Sequence, residues 1–199
     1  FSERVSQLKR WGIKFNQVDI TDKNKLKKVL SDADIIYHLA GITDVGTTDE
    51  DKNLRRDRLV KQVGVQGTKN VINCSPSNVK ILFPSTHVIF EGLKKIIKNI
   101  PETFEPKPVL EYSKGKAQSE EDLIESGKNY VILRLGSVYG KSYDSTRLNI
   151  MPNLFSKIAA GDGEIKLFSN GDQVKSLVSV YDVARCFEFL GESKEINKE

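Results

Sequence analysis

The chain has 199 residues, with 31 Lys and Arg against 27 Asp and Glu and a formal charge of +4. That length holds one domain, or one with an appended lobe, and is ample for a core; the near balance of charge, with lysines scattered along the chain, argues against a nucleic-acid partner. No apolar run approaches ~18 residues and no signal peptide is visible, so nothing places the chain in a membrane. Cys74 and Cys186 lack metal spacing and suit a reducing, cytoplasmic setting.

Residues 1–11 read as a helix with Leu8 and Trp11 on one face, and residues 12–18 as a short strand ending at Asp19. Asp19, Thr21 and Asp22 suit a turn and a cap for a helix over 23–30. Residues 33–41 read as a buried parallel strand ending in Ala40 and Gly41, small residues that let a flat ring approach the backbone. His38 within it reads as a packed or hydrogen-bonded histidine rather than a catalyst. Residues 41–56 read as a loop over a site. Leu59, Val60, Val63, Val71 and Ile72 form a helical stripe interrupted by Gly64 and Gly67. A glycine inside a helix costs about 1 kcal/mol relative to alanine, so close packing is expected at one of them or both.

Residues 79–83 read as a strand, and the run from Pro84 to Gly92 follows at its carboxyl end, where open α/β sheets place their ligands. A proline-rich stretch over 101–109 precedes a helix that carries Tyr112 and Lys116 and ends at 126–128. A tyrosine and a lysine four residues apart share one helical face. A phenol with a pKa near ~10 is a poor base at neutral pH, and a nearby ammonium favours the phenolate. A hydroxyl from a strand end, here Thr86, can hold the substrate oxygen whose proton the tyrosine exchanges. Such a set interconverts an alcohol and a ketone. Lys114 is close by, but Lys116 alone is four residues on from the tyrosine. Residues 130–135 read as a further strand running into 136–140. Composition loosens over 141–146, as at a passage into a smaller lobe. Residues 148–152 read either as a substrate contact or as a helix start with Pro152 in its first turn. Residues 165–173 read as a strand and turn, and 176–184 as a return strand and helix start.

Taken in this order, the motifs resemble those of the extended short-chain dehydrogenase/reductase family, in particular its NAD-dependent sugar epimerase/dehydratase branch. Asp19-Ile20-Thr21-Asp22 looks like the family's adenine-side acidic turn, and His38-Leu39-Ala40-Gly41 like its strand-four cofactor loop. Ser85-Thr86 with Phe90 and Gly92 looks like its serine/threonine motif. Tyr112 and Lys116 match its catalytic pair, and Arg134 to Gly140 its R-x-x-x-V-Y-G run; the order holds from about Gln17 to Val183.

The resemblance implies an α/β fold: a Rossmann-like doubly wound parallel sheet over residues 1–140, with part of a smaller substrate-binding lobe over 141–199. No Gly-x-x-Gly-x-x-Gly turn occurs in the sequence. A fragment lacking the glycine-rich N-terminal βαβ unit and the C-terminal end is therefore expected, with little cofactor affinity of its own. The implied catalytic residues are Thr86, Tyr112 and Lys116. NAD, with NADP left open, is implied against Asp19, Ile20, Leu39, Ala40, Gly41, Thr43, Tyr112, Lys116, Gly136 and Val138. A nucleotide-diphosphate sugar is implied against Thr86, His87, Ser137, Asn149 and Lys175. No metal is expected, and a homodimer through helices around 59–72 and 112–124 is.

Two positions depart from the family pattern. Gly64 stands where an asparagine is usual, and Lys175 where an arginine is usual, which keeps the charge but loses the two-pronged geometry. The implied reaction is C4 epimerisation. His87-Val88 after the threonine, in place of an acidic pair, argues against elimination, while a sugar or 4-keto-sugar reductase or dehydratase is the alternative. A reading from another class is a non-catalytic dinucleotide-binding scaffold or RNA-binding member. The two departures favour it; the presence of Thr86, Tyr112 and Lys116 together opposes it.

Overall fold

The computed structural model describes residues 2–43, 50–141, 147–167 and 169–199. In chain order the elements are α1 (Ser2–Arg10), α2 (Lys23–Leu30), β1 (Ile35–Tyr37), α3 (Glu50–Leu59), a π-helical turn (Val60–Gln66), α4 (Gly67–Cys74), β2 (Lys80–Thr86), a 3-10 turn (His87–Phe90), α5 (Glu111–Glu125), β3 (Asn129–Leu135), β4 (Ser137–Tyr139), α6 (Met151–Ala160), a 3-10 turn (Ser169–Gly171), β5 (Leu177–Ser179) and α7 (Val180–Glu192). They fall into two compact units, one of Val18–Arg134 with Leu190–Glu199, the other of Phe1–Gln17 with Leu135–Phe189.

The larger unit is built on a three-stranded sheet of order β1-β2-β3. β1 runs parallel to β2, with Ile35 opposite Lys80, Ile36 opposite Ile81 and Tyr37 opposite Leu82. β2 lies in the middle and is covered on both faces, so Ile81, Leu82 and Phe83 form the continuous apolar run such a strand requires. Leu26 of α2, Val71 and Ile72 of α4, Leu123 of α5 and Tyr130 of β3 close the core around it. The strand expected over 33–41 is shorter and less buried than its composition suggests. Ile36 is buried, whereas Tyr37 is 44% and Leu39 66% exposed, because among the described residues β1 pairs with β2 alone.

The start of α2 is held as its residue types imply. Asp22 accepts from the Lys25 amide at 3.2 Å, and Asp19 Oδ1 accepts from the amide and hydroxyl of Thr21 at 2.8 and 2.7 Å. These bonds hold both carboxyls below their ordinary range. The stripe over 59–72 does not form one α-helix. It widens into the π turn between α3 and α4, a feature frequent at functional sites. Of its two glycines, Gly67 explains itself by packing, since a Cβ there would lie 2.5 Å from Ile20 Cδ1. Among the described residues a Cβ at Gly64 would meet nothing nearer than Val60 Cγ1 at 4.0 Å.

α5 lacks a capping side chain from its own Leu110. Glu91, beyond the 3-10 turn after β2, takes that role, accepting from the amides of Val109 and Leu110 at 2.8 and 2.6 Å and from the Ser113 hydroxyl. A carboxylate there satisfies otherwise orphaned donors and sits at the positive end of the helix dipole. Backbone bonds from Gly92 N to Lys107 O (2.9 Å) and Lys107 N to Ile89 O (2.8 Å) tie the same segment to the loop entering α5. The end of α7 is held by Lys80, whose Nζ donates to the carbonyls of Leu190 and Ser193 at 2.6 Å each.

In the other unit β4 and β5 pair in parallel, with Val138 opposite Val178. Asn153 of α6 accepts from the Gly140 amide at 3.0 Å, and Pro152 lies in the first turn of that helix, as expected of a helix start. Three expectations are corrected here. Residues 12–18 form no strand, because among the described residues no strand pairs with them, and Trp11 is 63% exposed rather than packed. Residues 163–167 are likewise irregular and exposed, with no ladder partner. The expected turn is present as the 3-10 turn over Ser169–Gly171, with Asn170 at φ 57°. Phe168, residues 44–49 of the expected loop and 142–146 of the expected passage lie outside the described residues.

Candidate active site

Tyr112 and Lys116 fall one turn apart on α5, and both line a cavity with Ala40 and Gly41, the residues just past β1. The helical period extends that face to Gly115 and Ser119, which line the cavity too. Gly64, Val60 and Thr68, from the π turn and α4, form another wall, and Phe83 of β2 also borders it. A Cβ at Gly115 would lie 3.4 Å from Val60 Cγ1 and 3.5 Å from Val65 Cγ2, ordinary van der Waals contact, so α5 lies close against the π turn there.

Lys116 is held within this site. Its Nζ donates to the carbonyl of Pro84 at 2.7 Å and lies 4.3 Å from the centroid of the Phe83 ring. Burial disfavours its charged form and pushes its pKa down to about 8, while the charge of Glu120 acts in the opposite direction. At neutral pH the group is therefore mostly an ammonium, within reach of losing its proton.

His38 is buried, stacked on Phe83 with ring centroids 5.5 Å apart, and its Nε2 lies 2.9 Å from Thr68 Oγ1. The Thr68 hydroxyl donates its one proton to the Gly64 carbonyl, so His38 Nε2 carries a hydrogen and donates to Thr68. Burial, with the charge of Lys116 second, pushes the imidazole down to about 4. It is neutral at pH 7 and fixed in one tautomer, which agrees with its reading as a hydrogen-bonded structural histidine.

Thr86 ends β2, two residues after Pro84. It is 7% exposed, and its Oγ1 accepts from the Val88 amide at 3.2 Å, capping the 3-10 turn. It does not line the cavity that holds Tyr112 and Lys116. Beside it, Ser85 Oγ is buried with no hydrogen-bond partner among the described residues. His87 is half-buried on the 3-10 turn, and Asp19, Leu39 and Thr43 are exposed, with Ile20 half-buried. Gly136, Ser137, Val138, Asn149 and Lys175 belong to the other unit: the first three precede or form β4, Asn149 accepts from Arg147 Nε at 2.6 Å, and Lys175 is exposed. Sequence reasoning thus anticipated four of the cavity residues. It did not assign Ile42, Val60, Gly64, Thr68, Phe83, Gly115 or Ser119 to the site, of which the last two were available from the i+3 and i+7 positions relative to Tyr112. Among the described residues no cluster of His, Cys, Asp and Glu could hold a metal ion, and no helix is long and apolar enough to cross a membrane.

The fold is shared with solved structures. UDP-glucuronic acid 4-epimerase from Bacillus cereus, in complex with UDP-glucuronic acid and NAD, superposes with a TM-score of 0.75 at 24% identity, over 92% of this chain and 56% of that one. In sequence, the chain is similar to 3beta-hydroxysteroid-dehydrogenase/decarboxylase isoform 2 of Arabidopsis thaliana, at 27% identity over 185 residues, covering 89% of this chain and 30% of the relative. It is also similar to probable low-salt glycan biosynthesis reductase Agl14 of Haloferax volcanii, at 29% identity over 161 residues, covering 78% of this chain and 50% of the relative. The chain thus spans half or less of the length of these two curated relatives. Membership is a separate matter from these individual likenesses, and a family model matching residues 2–199 decides it: the chain belongs to the NAD dependent epimerase/dehydratase family.

Proposed function

We propose that this chain is part of an NAD-dependent enzyme acting on a nucleotide-diphosphate sugar, most simply as a C4 epimerase. The observation that carries the reading is the convergence of Tyr112 and Lys116 on one cavity with the open backbone of Ala40 and Gly41. Among the described residues a Cβ built at Gly41 meets nothing within 4 Å, which leaves room for a flat ring against the backbone there, and Lys116 supplies donors for a ribose. These residues fit the nicotinamide end of NAD. Bound there, the nicotinamide would supply the hydride acceptor and donor.

In this reading Tyr112 takes the proton of the sugar hydroxyl and later returns it, and the Lys116 ammonium favours the phenolate that makes this possible. Thr86 uses a lone pair on the Val88 amide and has its O–H to donate to the sugar oxygen. Asp19 and Ile20 are assigned to the adenine, with Leu39, Thr43, Gly136 and Val138 completing the cofactor contacts. His87, Ser137, Asn149 and Lys175 are assigned to the substrate. Residues 1–140 belong to the cofactor side and 141–199 to the substrate side, and two copies pair through helices around 59–72 and 112–124. A second reading, a 4-keto-sugar reductase, draws on the likeness to the Haloferax reductase and on the Ser85-Thr86 motif with Phe90 and Gly92.

The test is to express the full-length protein, supply UDP- and dTDP-sugars with NAD(H), and compare it with Tyr112→Phe. Turnover of at least one sugar, falling by about 10²–10⁴-fold in the variant, is expected. Epimerised product separates the first reading from net reduction. NAD(H) binding with no hydride chemistry on any sugar would replace both with a binding scaffold. Sedimentation of the same preparation tests the dimer.

A further inference from the structure

Glu120 lies one helical turn beyond Lys116 on α5, as Lys116 lies one turn beyond Tyr112, so the three side chains share a face. Glu120 is 3% exposed. A carboxylate so far from water is costly unless paired and hydrogen-bonded. Its partner comes from β3: Arg134 donates to Glu120 Oε2 through Nη2 at 2.8 Å and Nε at 3.1 Å, and to Oε1 through Nε at 3.3 Å. The guanidinium is itself held, with Nη1 donating to the Glu102 carbonyl at 2.7 Å and the Phe90 ring centroid 5.5 Å away. Arg134 thus cannot follow Glu120 elsewhere, and the carboxylate is pinned between α5 and β3.

What the carboxylate faces gives the pair its consequence. Around Lys116, β2 contributes the Pro84 carbonyl and the Phe83 ring, both uncharged, and the segment after β1 contributes His38, a neutral imidazole. On α5 itself lie Tyr112 and Glu120. Burial works against the ammonium, and Glu120 is the group whose charge works for it.

We propose that Glu120, anchored by Arg134, is a positioning residue for this site: its carboxylate keeps Lys116 in the ammonium form where the surroundings are otherwise too dry for a cation. The consequence for turnover rests on the catalytic reading of Tyr112 and Lys116 given above; the electrostatic claim does not. A buried ion pair that merely braces α5 against β3 would leave the titration of Lys116 unchanged.

The measurement is the pH dependence of Lys116 acylation by acetic anhydride, read by mass spectrometry on the intact folded protein, with exposed Lys114 as internal standard. In the parent protein the midpoint is expected at about 8. In Glu120→Gln it is expected to fall by about one unit, a tenfold smaller charged-to-neutral ratio at a given pH. Removing one member of a buried pair strands the other and can prevent folding. The double variant Glu120→Gln/Arg134→Met leaves no unpaired ion, and because the Arg134 cation leaves with the carboxylate its midpoint is expected to fall by less than in the single variant. A midpoint that stays in place or rises in either folded variant overturns the proposal. Absence of sugar turnover, by contrast, would remove the catalytic reading without moving any of these midpoints.

Discussion

His38 Nε2 donates to Thr68 Oγ1 across 2.9 Å, joining the end of β1 to α4 through a residue that in turn donates to the Gly64 carbonyl of the π turn. The chain of bonds requires a proton on Nε2, which the imidazolium would also carry; burial, with the charge of Lys116 second, is the reason the ring stays neutral.

Acid should therefore weaken the larger unit through this residue. The folded-state pKa of about 4 lies below the ordinary 6.5, so between those values the unfolded chain binds more protons than the folded one. Stability is expected to fall as pH drops through that window, by at most about 3 kcal/mol from this group. His38→Gln retains an amide donor toward Thr68 and removes the titration. Urea melts at pH 7 and pH 4.5 should show a smaller acid loss in the variant, and an equal loss would count against His38 as the source.

Lys116 makes two quantities move in opposite directions. Its folded pKa of about 8 lies below 10.5, so from pH 8 upward its contribution to stability rises while the ammonium invoked in the proposed reaction disappears. An alkaline limb of kcat near pH 8 is expected in the full-length protein. Lys116→Met should abolish turnover yet raise stability at pH 7 by about 1–3 kcal/mol, since a charge disfavoured by burial has gone. A destabilised, inactive Lys116→Met protein would point to a structural lysine instead.

Glu91 is expected to matter more for α5 than its place in a loop suggests. Glu91→Ala removes the acceptor of the Val109 and Leu110 amides and of the Ser113 hydroxyl and should cost about 1–2 kcal/mol. Glu91→Gln should recover part of that through its carbonyl oxygen. Guanidinium denaturation midpoints of the three proteins check the order.

The glycines at 64 and 92 should behave oppositely. A Cβ at Gly92 would lie 2.5 Å from the Lys107 carbonyl, a backbone atom that cannot swing aside, so Gly92→Ala should destabilise by about 1–3 kcal/mol. Gly64 has room for a methyl group, and Gly64→Ala should be neutral or stabilise by up to about 1 kcal/mol through helix propensity. Thermal melts of the two variants suffice.

Much of the site could be read along the chain because its parts are local. Tyr112 and Lys116 share a face by helical spacing alone. The apolar run before Pro84 identifies a central strand, and Asp22 ahead of a lysine-rich octet identifies a helix start. Pairing across the chain decided the rest. Residues 12–18 have strand composition yet form none, because a strand exists through its ladder. The stripe over 59–72 has helical spacing, yet it widens into the π turn over Val60–Gln66, which that spacing does not reveal. The bonds from Glu91 to Ser113, His38 to Thr68 and Arg134 to Glu120 join residues 22, 30 and 14 positions apart. Periodicity can say that two side chains lie on one face, but the charge of Lys116 is decided by what the fold brings beside it and by how much water it removes.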